Sequence, residues 1–124
     1  MITRDQERAR HALEHSKNMG KDADFAKKLP VLIQTCGLAQ AMAFAEAKEK
    51  APALRDALEN WIAKAIPPKP QPNQPAANKK ILDRIIAPEP DFLFRATDEA
   101  LAYLFWIGRF VEEPKPKRQN GAGR

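Results

Sequence analysis

Eleven prolines punctuate this 124-residue chain, and their placement limits where a regular element can run. Five fall within "PPKPQPNQPAA", residues 67–77, two frame "APEP" at Pro88 and Pro90, and Pro114 and Pro116 follow Glu113. Proline lacks a backbone N–H and its ring clashes with the preceding turn, so neither a helix interior nor a central strand persists through such density. Residues 67–77 are therefore expected to form an extended, exposed linker or loop. Pro52 suits the first turn of a helix. Pro30 lies inside an apolar pattern, where it is expected to kink a helix.

Between the prolines the apolar residues repeat with helical period. Thr3 and Gln6 match a capping box, with Ala9, Ala12, Leu13, Ser16 and Met19 on one side of a first helix and Gly20 as its terminator. A second helix is expected to start at Asp22 or Asp24 and to carry Phe25, Leu29, Leu32 and Ile33 inward, ending at Gly37. A third presents Leu38, Ala41, Met42 and Ala45, and a fourth Leu54, Ala57, Leu58, Trp61, Ile62 and Ala65. Asn78 is placed to cap a short fifth helix with Ile81, Leu82, Ile85 and Ile86 inside. The sixth, capped by Thr97 or begun earlier at Asp91, is apolar nearly all round, as a helix buried in a bundle or covered by a partner would be. No segment alternates with period two. The expected fold is all-α: a compact bundle of five to six helices, one domain over residues 1–113, a proline-rich loop at 67–77 and a disordered basic tail at 114–124.

The net charge of +5 suggests an affinity for nucleic acid, but its location weakens that reading. The tail holds Lys115, Lys117, Arg118 and Arg124 and no acid, leaving 17 basic against 16 acidic residues before it. Any nucleic-acid contact must then come from a local patch or the tail. A single cysteine permits no internal disulfide. The charged start "MITRDQERAR" has no apolar leader behind it, and the longest apolar run, "LAYLFWI", has seven residues. A cytoplasmic protein without a membrane span is expected.

Catalytic chemistry finds little support. "HALEH", His11 to His15, fits the H-x-x-E-H pattern of zinc peptidases, yet these are the only histidines and no third ligand is evident. An ordinary exposed helix face is expected there, with Ala12 and Leu13 turned inward. Cys36 has no neighbouring base and reads as a small buried residue. Asp98 and Glu99 are adjacent, hence point apart, and suit a helix start. The aromatic run Tyr103, Phe105, Trp106 and Phe110 reads as core rather than as a base-stacking platform. No metal, cofactor or enzymatic activity is expected.

Three stretches carry a resemblance to a family. "KKLPVLIQTCGLAQAMAF", "LENWI" and "FRATDEALAYLFWIGRF", in that order and spacing, resemble the small all-helical subunit of the type III-B CRISPR RNA-targeting effector, the Cmr complex. With helix one, the likeness spans about residues 3 to 112. It departs at Thr35-Cys36, where the family often has Asn before the glycine, and in the 67–77 loop. The resemblance implies a non-catalytic subunit of an antiviral ribonucleoprotein. Its copies stack beside the backbone subunits that hold guide RNA, and they help to position target RNA.

Lys28, Arg95 and Arg109 match basic positions of the family motifs, while Leu29, Pro30, Gly37, Trp61, Thr97, Leu101, Trp106 and Phe110 match structural ones. Lys27, Lys28, Lys64, Arg95 and Arg109 are the expected RNA contacts. The partners implied are other subunits of the complex, further copies of the chain, guide RNA and target RNA. The alternative is a helical adaptor that binds one protein through its proline-rich loop or its apolar last helix.

Overall fold

Helix α1, Arg4–Ser16, begins at the expected cap. The Gln6 amide donates to Thr3 Oγ1 at 3.1 Å, and the Thr3 amide donates to Gln6 Oε1 at 2.8 Å. This reciprocal pair satisfies two donors that a helix start leaves open. The computed structural model describes residues 2–68, 80–87 and 91–111. After α1 come a 3-10 turn at Gly20–Asp22, then α2 (Ala23–Cys36), α3 (Leu38–Ala47), α4 (Pro52–Ala65), α5 (Ile81–Ile86) and α6 (Phe92–Val111). No strand occurs among the described residues, and the all-α expectation holds. Asn78, most of the 67–77 stretch and the 114–124 tail lie outside the described residues.

Helix α6 is the post around which the others gather, packing against each of the five. It buries Phe92, Ala96, Ala100, Tyr103, Leu104 and Ile107. The alanines at 96 and 100 let neighbouring helices approach closely, while Tyr103 and Leu104 fill the centre. The α4 stripe is buried as the periodicity requires, from Leu54 to Ala65, with Trp61 stacked on Tyr103 at a centroid distance of 5.9 Å. Leu38, Ala41, Met42 and Ala45 bury the inner face of α3.

Several ends are built differently from the sequence reading. Helix α2 runs through Pro30, whose missing N–H leaves the Ala26 carbonyl without its i+4 donor. Gly37, at φ 89°, does end α2 as expected and separates it from α3 in a conformation that side chains resist. Gly20 (φ 44°) does not end α1, which closes at Lys17; it bends the turn that follows. Helix α6 starts at Phe92, directly after Asp91, so the earlier of the two expected starts holds and Thr97 is not its cap; its hydroxyl donates to the Leu93 carbonyl one turn back at 2.7 Å. In α5, Ile86 is 84% exposed and Arg84 is buried in its stead. Arg84 Nη1 donates to the Ile66 carbonyl at the end of α4, and its guanidinium lies 4.0 Å from the Phe92 ring centroid. A cation at that carboxyl end completes an open carbonyl and opposes the helix dipole.

Asp22 was a candidate cap for α2 but makes no such bond. Its carboxylate reaches α4, accepting from the amides of Ala53 at 2.8 Å and Leu54 at 3.2 Å. Ala51, the residue at the α4 cap position, has no side chain for this and sits at φ 48°. Asp22→Ala is therefore expected to lower stability by about 1–2 kcal/mol, the usual worth of a lost cap. A smaller loss in Asp22→Asn, read from urea unfolding midpoints, would separate the hydrogen bonds from the charge.

Candidate interaction surfaces and the polar network beneath them

The functional reading turns on which polar side chains are already engaged. Glu99, on α6, is the most engaged of all. Arg8 Nε donates to Glu99 Oε1 at 3.0 Å, and Arg8 Nη2 to Oε2 at 2.9 Å. Arg4 Nη1 adds a bond to Oε2 at 3.1 Å, and Trp61 Nε1 one to Oε1 at 2.9 Å. One carboxylate thus joins α1, α4 and α6. Burial alone would raise the Glu99 carboxyl, but the bonds from Arg8 and Trp61 and the arginine charges outweigh it and hold it below the ordinary carboxylate range. Arg8 is in turn held more firmly protonated, chiefly by its bond to Glu99. The expectation that Glu99 serves a helix start is therefore wrong. Adjacency to Asp98 does place the two on different faces, with Asp98 exposed and Glu99 turned inward.

A second network lies beside the first. His11 is only 8% exposed, contrary to the expected open face. Its Nδ1 lies 2.7 Å from the Tyr103 hydroxyl and its Nε2 lies 2.8 Å from Asn60 Oδ1. A neutral ring fits both: the tyrosine O–H donates to Nδ1, and Nε2–H donates to the amide oxygen. Burial, against the bond to Asn60 and with His15 and Lys64 nearby, pushes the His11 pKa below its usual value. His15 stacks on His11 at 3.9 Å and donates from Nδ1 to the His11 carbonyl at 2.9 Å. With both His11 nitrogens turned to Tyr103 and Asn60, the two rings are stacked side by side rather than converged on a common point. Ala12 is buried as expected, but Leu13 is exposed, because the inward arc of α1 runs through Arg8, His11, Ala12 and His15. Desolvation raises the Tyr103 pKa far out of the physiological range, so it remains a donor.

The outer edge of α6 is tied down as well. Trp106 Nε1 donates to Asp5 Oδ1 at 3.0 Å, and this bond, more than the neighbouring Arg8, draws the Asp5 carboxyl down. Trp106 stacks on Phe110 at 5.8 Å, both only partly buried. Tyr103 belongs to the core, as expected of the aromatic run, whereas Phe105 is 58% exposed. The Arg109 guanidinium lies 5.1 Å from the Phe105 centroid.

The five expected RNA contacts, Lys27, Lys28, Lys64, Arg95 and Arg109, are all exposed. Lys27 and Lys28 come together in one open groove with Phe25, Val31, Leu32, Phe44 and Lys50. Lys64 is on α4, close enough to His11 to act on its charge. Arg95 and Arg109 share α6, about 21 Å apart along its axis at 1.5 Å per residue and on nearly the same side. Cys36, expected in the core, is exposed and lines a second groove with Gly37, Leu38, Leu93, Phe94 and Asp98. It sits in the last turn of α2 beside the Gly37 break, where the chain turns away from the core. Among the described residues no helix is long and apolar enough to cross a membrane.

The fold and its networks define a small helical protein whose buried polar groups hold its own helices in place, with apolar side chains and charges of both signs left on the outside. The family model described as CRISPR-associated protein (Cas_Cmr5) matches residues 4–113, and the chain belongs to that family. It is a small subunit of the type III-B CRISPR complex, the Cmr assembly, and associates with that complex's other subunits in CRISPR defence. No curated protein and no solved structure matches the chain.

The His11 network makes a pH prediction. The unfolded chain protonates His11 near pH 6.5, and the folded chain only at lower pH. Between those two points the unfolded state binds more protons, so the contribution of His11 to stability is complete above about pH 6.5 and is lost as pH falls. The urea midpoint is expected to drop between pH 7.5 and 5.5. His11→Gln is expected to start lower by about 1–3 kcal/mol, having disturbed two buried hydrogen bonds, and to show a flatter pH profile.

Proposed function

We propose that this chain is a non-catalytic, architectural subunit of the type III-B ribonucleoprotein. Its copies stack along the assembly beside the subunits that carry guide RNA, and together they help to position target RNA. The observation that supports this most is the internal engagement of His11 and Glu99. Both ring nitrogens of His11 and both oxygens of Glu99 are committed to internal hydrogen bonds. Phe94, Phe105, Arg95 and Arg109 meanwhile face outward from α6. In this reading residues 1–113 are one helical domain, and the basic 114–124 segment is an extension that adds electrostatic attraction.

Arg95 and Arg109 are the strongest candidates for RNA contact, since they lie on one face of one rigid helix. Their spacing suits separate phosphates rather than one. The open face of Phe105 beside Arg109 offers a surface on which a base can stack. Lys64 is a further phosphate contact on the α4 surface. Lys27 and Lys28 were expected in the same role but line the groove between α2 and α3. Each copy contributes few cations, so the isolated chain binds RNA weakly and affinity grows only when copies align.

Arg95→Ala and Arg109→Ala are each expected to weaken retention of target RNA by the reconstituted complex, with a shallower salt dependence. Their unfolding midpoints should match the parent's. Filter binding of the complex over a salt series measures this; unchanged retention in the double variant means that RNA lies elsewhere. The wider role is tested by reconstituting the complex without this chain. Loss of target-RNA retention with guide RNA still bound is expected, whereas full retention contradicts it.

A further inference from the structure

Two different apolar patches occupy different ends of the packed α2–α3 pair. Toward the end away from Gly37, Phe25, Val31 and Leu32 of α2 and Phe44 of α3 line an open groove of about 490 Å³, with Lys28 and Lys50 in its walls. Val31 is 60% exposed and Phe44 also faces solvent. At the Gly37 end, the exposed side chains of Leu93 and Phe94 of α6 form an apolar ridge along one rim of the second groove, across from Cys36 and Leu38, with Asp98 alongside. Phe94 is 75% exposed. Asp91 lies one turn before it on the same side of the helix, while Arg95 is about 100° round.

Isolated apolar side chains on a surface are ordinary, but two clustered sets with charges of opposite sign are not. The groove carries lysines and the ridge carries aspartates. Groove against groove would set Lys28 and Lys50 against their own copies, and ridge against ridge would do the same with Asp91 and Asp98. Only a head-to-tail contact brings opposite charges together and covers both apolar patches. We propose that the Leu93–Phe94 ridge of one copy seats in the Phe25–Phe44 groove of the next, with Asp91 and Asp98 facing Lys28 and Lys50. This contact rests on the stacking reading above and adds which surfaces meet. It also gives Lys28 a protein partner instead of a phosphate.

The chain's single cysteine lies on the ridge side, so a second placed in the groove reports the contact. Val31→Cys in the assembled complex, under mild oxidation, is expected to give a ladder of cross-linked multimers of this chain. Val31→Cys with Cys36→Ser should give none. A disulfide within one chain is not available, because residues five apart on one helix lie too far apart and on different faces. Dimers that persist without Cys36 show groove facing groove and overturn the proposal. A cross-link to a subunit of another size shows a different occupant and also overturns it.

Absence of any cross-link is decided by native mass spectrometry of the same complex. Several copies per assembly without cross-links reject these surfaces and leave stacking intact, whereas a single copy rejects stacking itself. A charge exchange provides an independent check. Lys28→Glu alone and Asp98→Lys alone should each reduce the ladder several-fold, and the two variants mixed should restore it. No restoration on mixing counts against the charge pairing.

Discussion

One carboxylate holds the arrangement of the bundle. Glu99 accepts from two arginines of α1 and from the indole of α4, and it does so from the middle of α6, the helix that every other one touches. Hydrogen bonds to a charged group are worth about 1.5–3 kcal/mol each when desolvated, and less for the exposed Arg4. The larger effect is geometric. Apolar helices slide along one another at low cost, whereas a carboxylate with four donors fixes both the rotation and the height of three helices. The His11–Tyr103–Asn60 chain repeats the same junction one turn further along α1 and α6.

That internal use of polar groups has a consequence for function. His11 and Glu99, which would ordinarily suggest a base and an acid, are held in place by internal partners. Among the groups left outside are the α6 edge with Phe94, Arg95, Phe105 and Arg109, the aspartates at 91 and 98, and the groove between α2 and α3. Membership of a family of complex subunits agrees with a protein whose value lies in its surfaces. Isolated, such a chain presents patches larger than its own fold requires. In an assembly they become contacts.

Much of the fold was legible in the sequence, because period and punctuation are local. The Thr3–Gln6 box, the α4 stripe and the Gly37 break needed only neighbouring residues. What was not legible depends on partners far along the chain. Asp22 has the look of a cap for the helix that follows it, but caps one that begins thirty residues later. Arg84 is buried because a helix end and a phenylalanine ring meet there, which no periodicity of apolar residues records. His11 stands beside Ala12 on the inward arc of α1, and that adjacency was the available signal, yet a histidine is buried only where partners wait for both nitrogens. Cys36 faces outward because the buried stripe of α2 ends at Ile33 and the break at Gly37 comes before another turn is packed. The candidate contacts were legible as residue types and not as faces: the fold set Arg95 and Arg109 on one helix edge and put Lys27 and Lys28 in a groove.

This chain acts through its outer faces while its polar core stays as it is. Hydroxyl-radical footprinting read by mass spectrometry, comparing the isolated chain with the RNA-loaded complex, tests that most directly. Phe94, Phe105 and Val31 are expected to lose most of their reactivity on assembly, with Trp61 and Tyr103 unreactive in both states. If the three exposed residues remain as reactive in the complex as in the isolated chain, or if the buried pair changes on assembly, the account is contradicted.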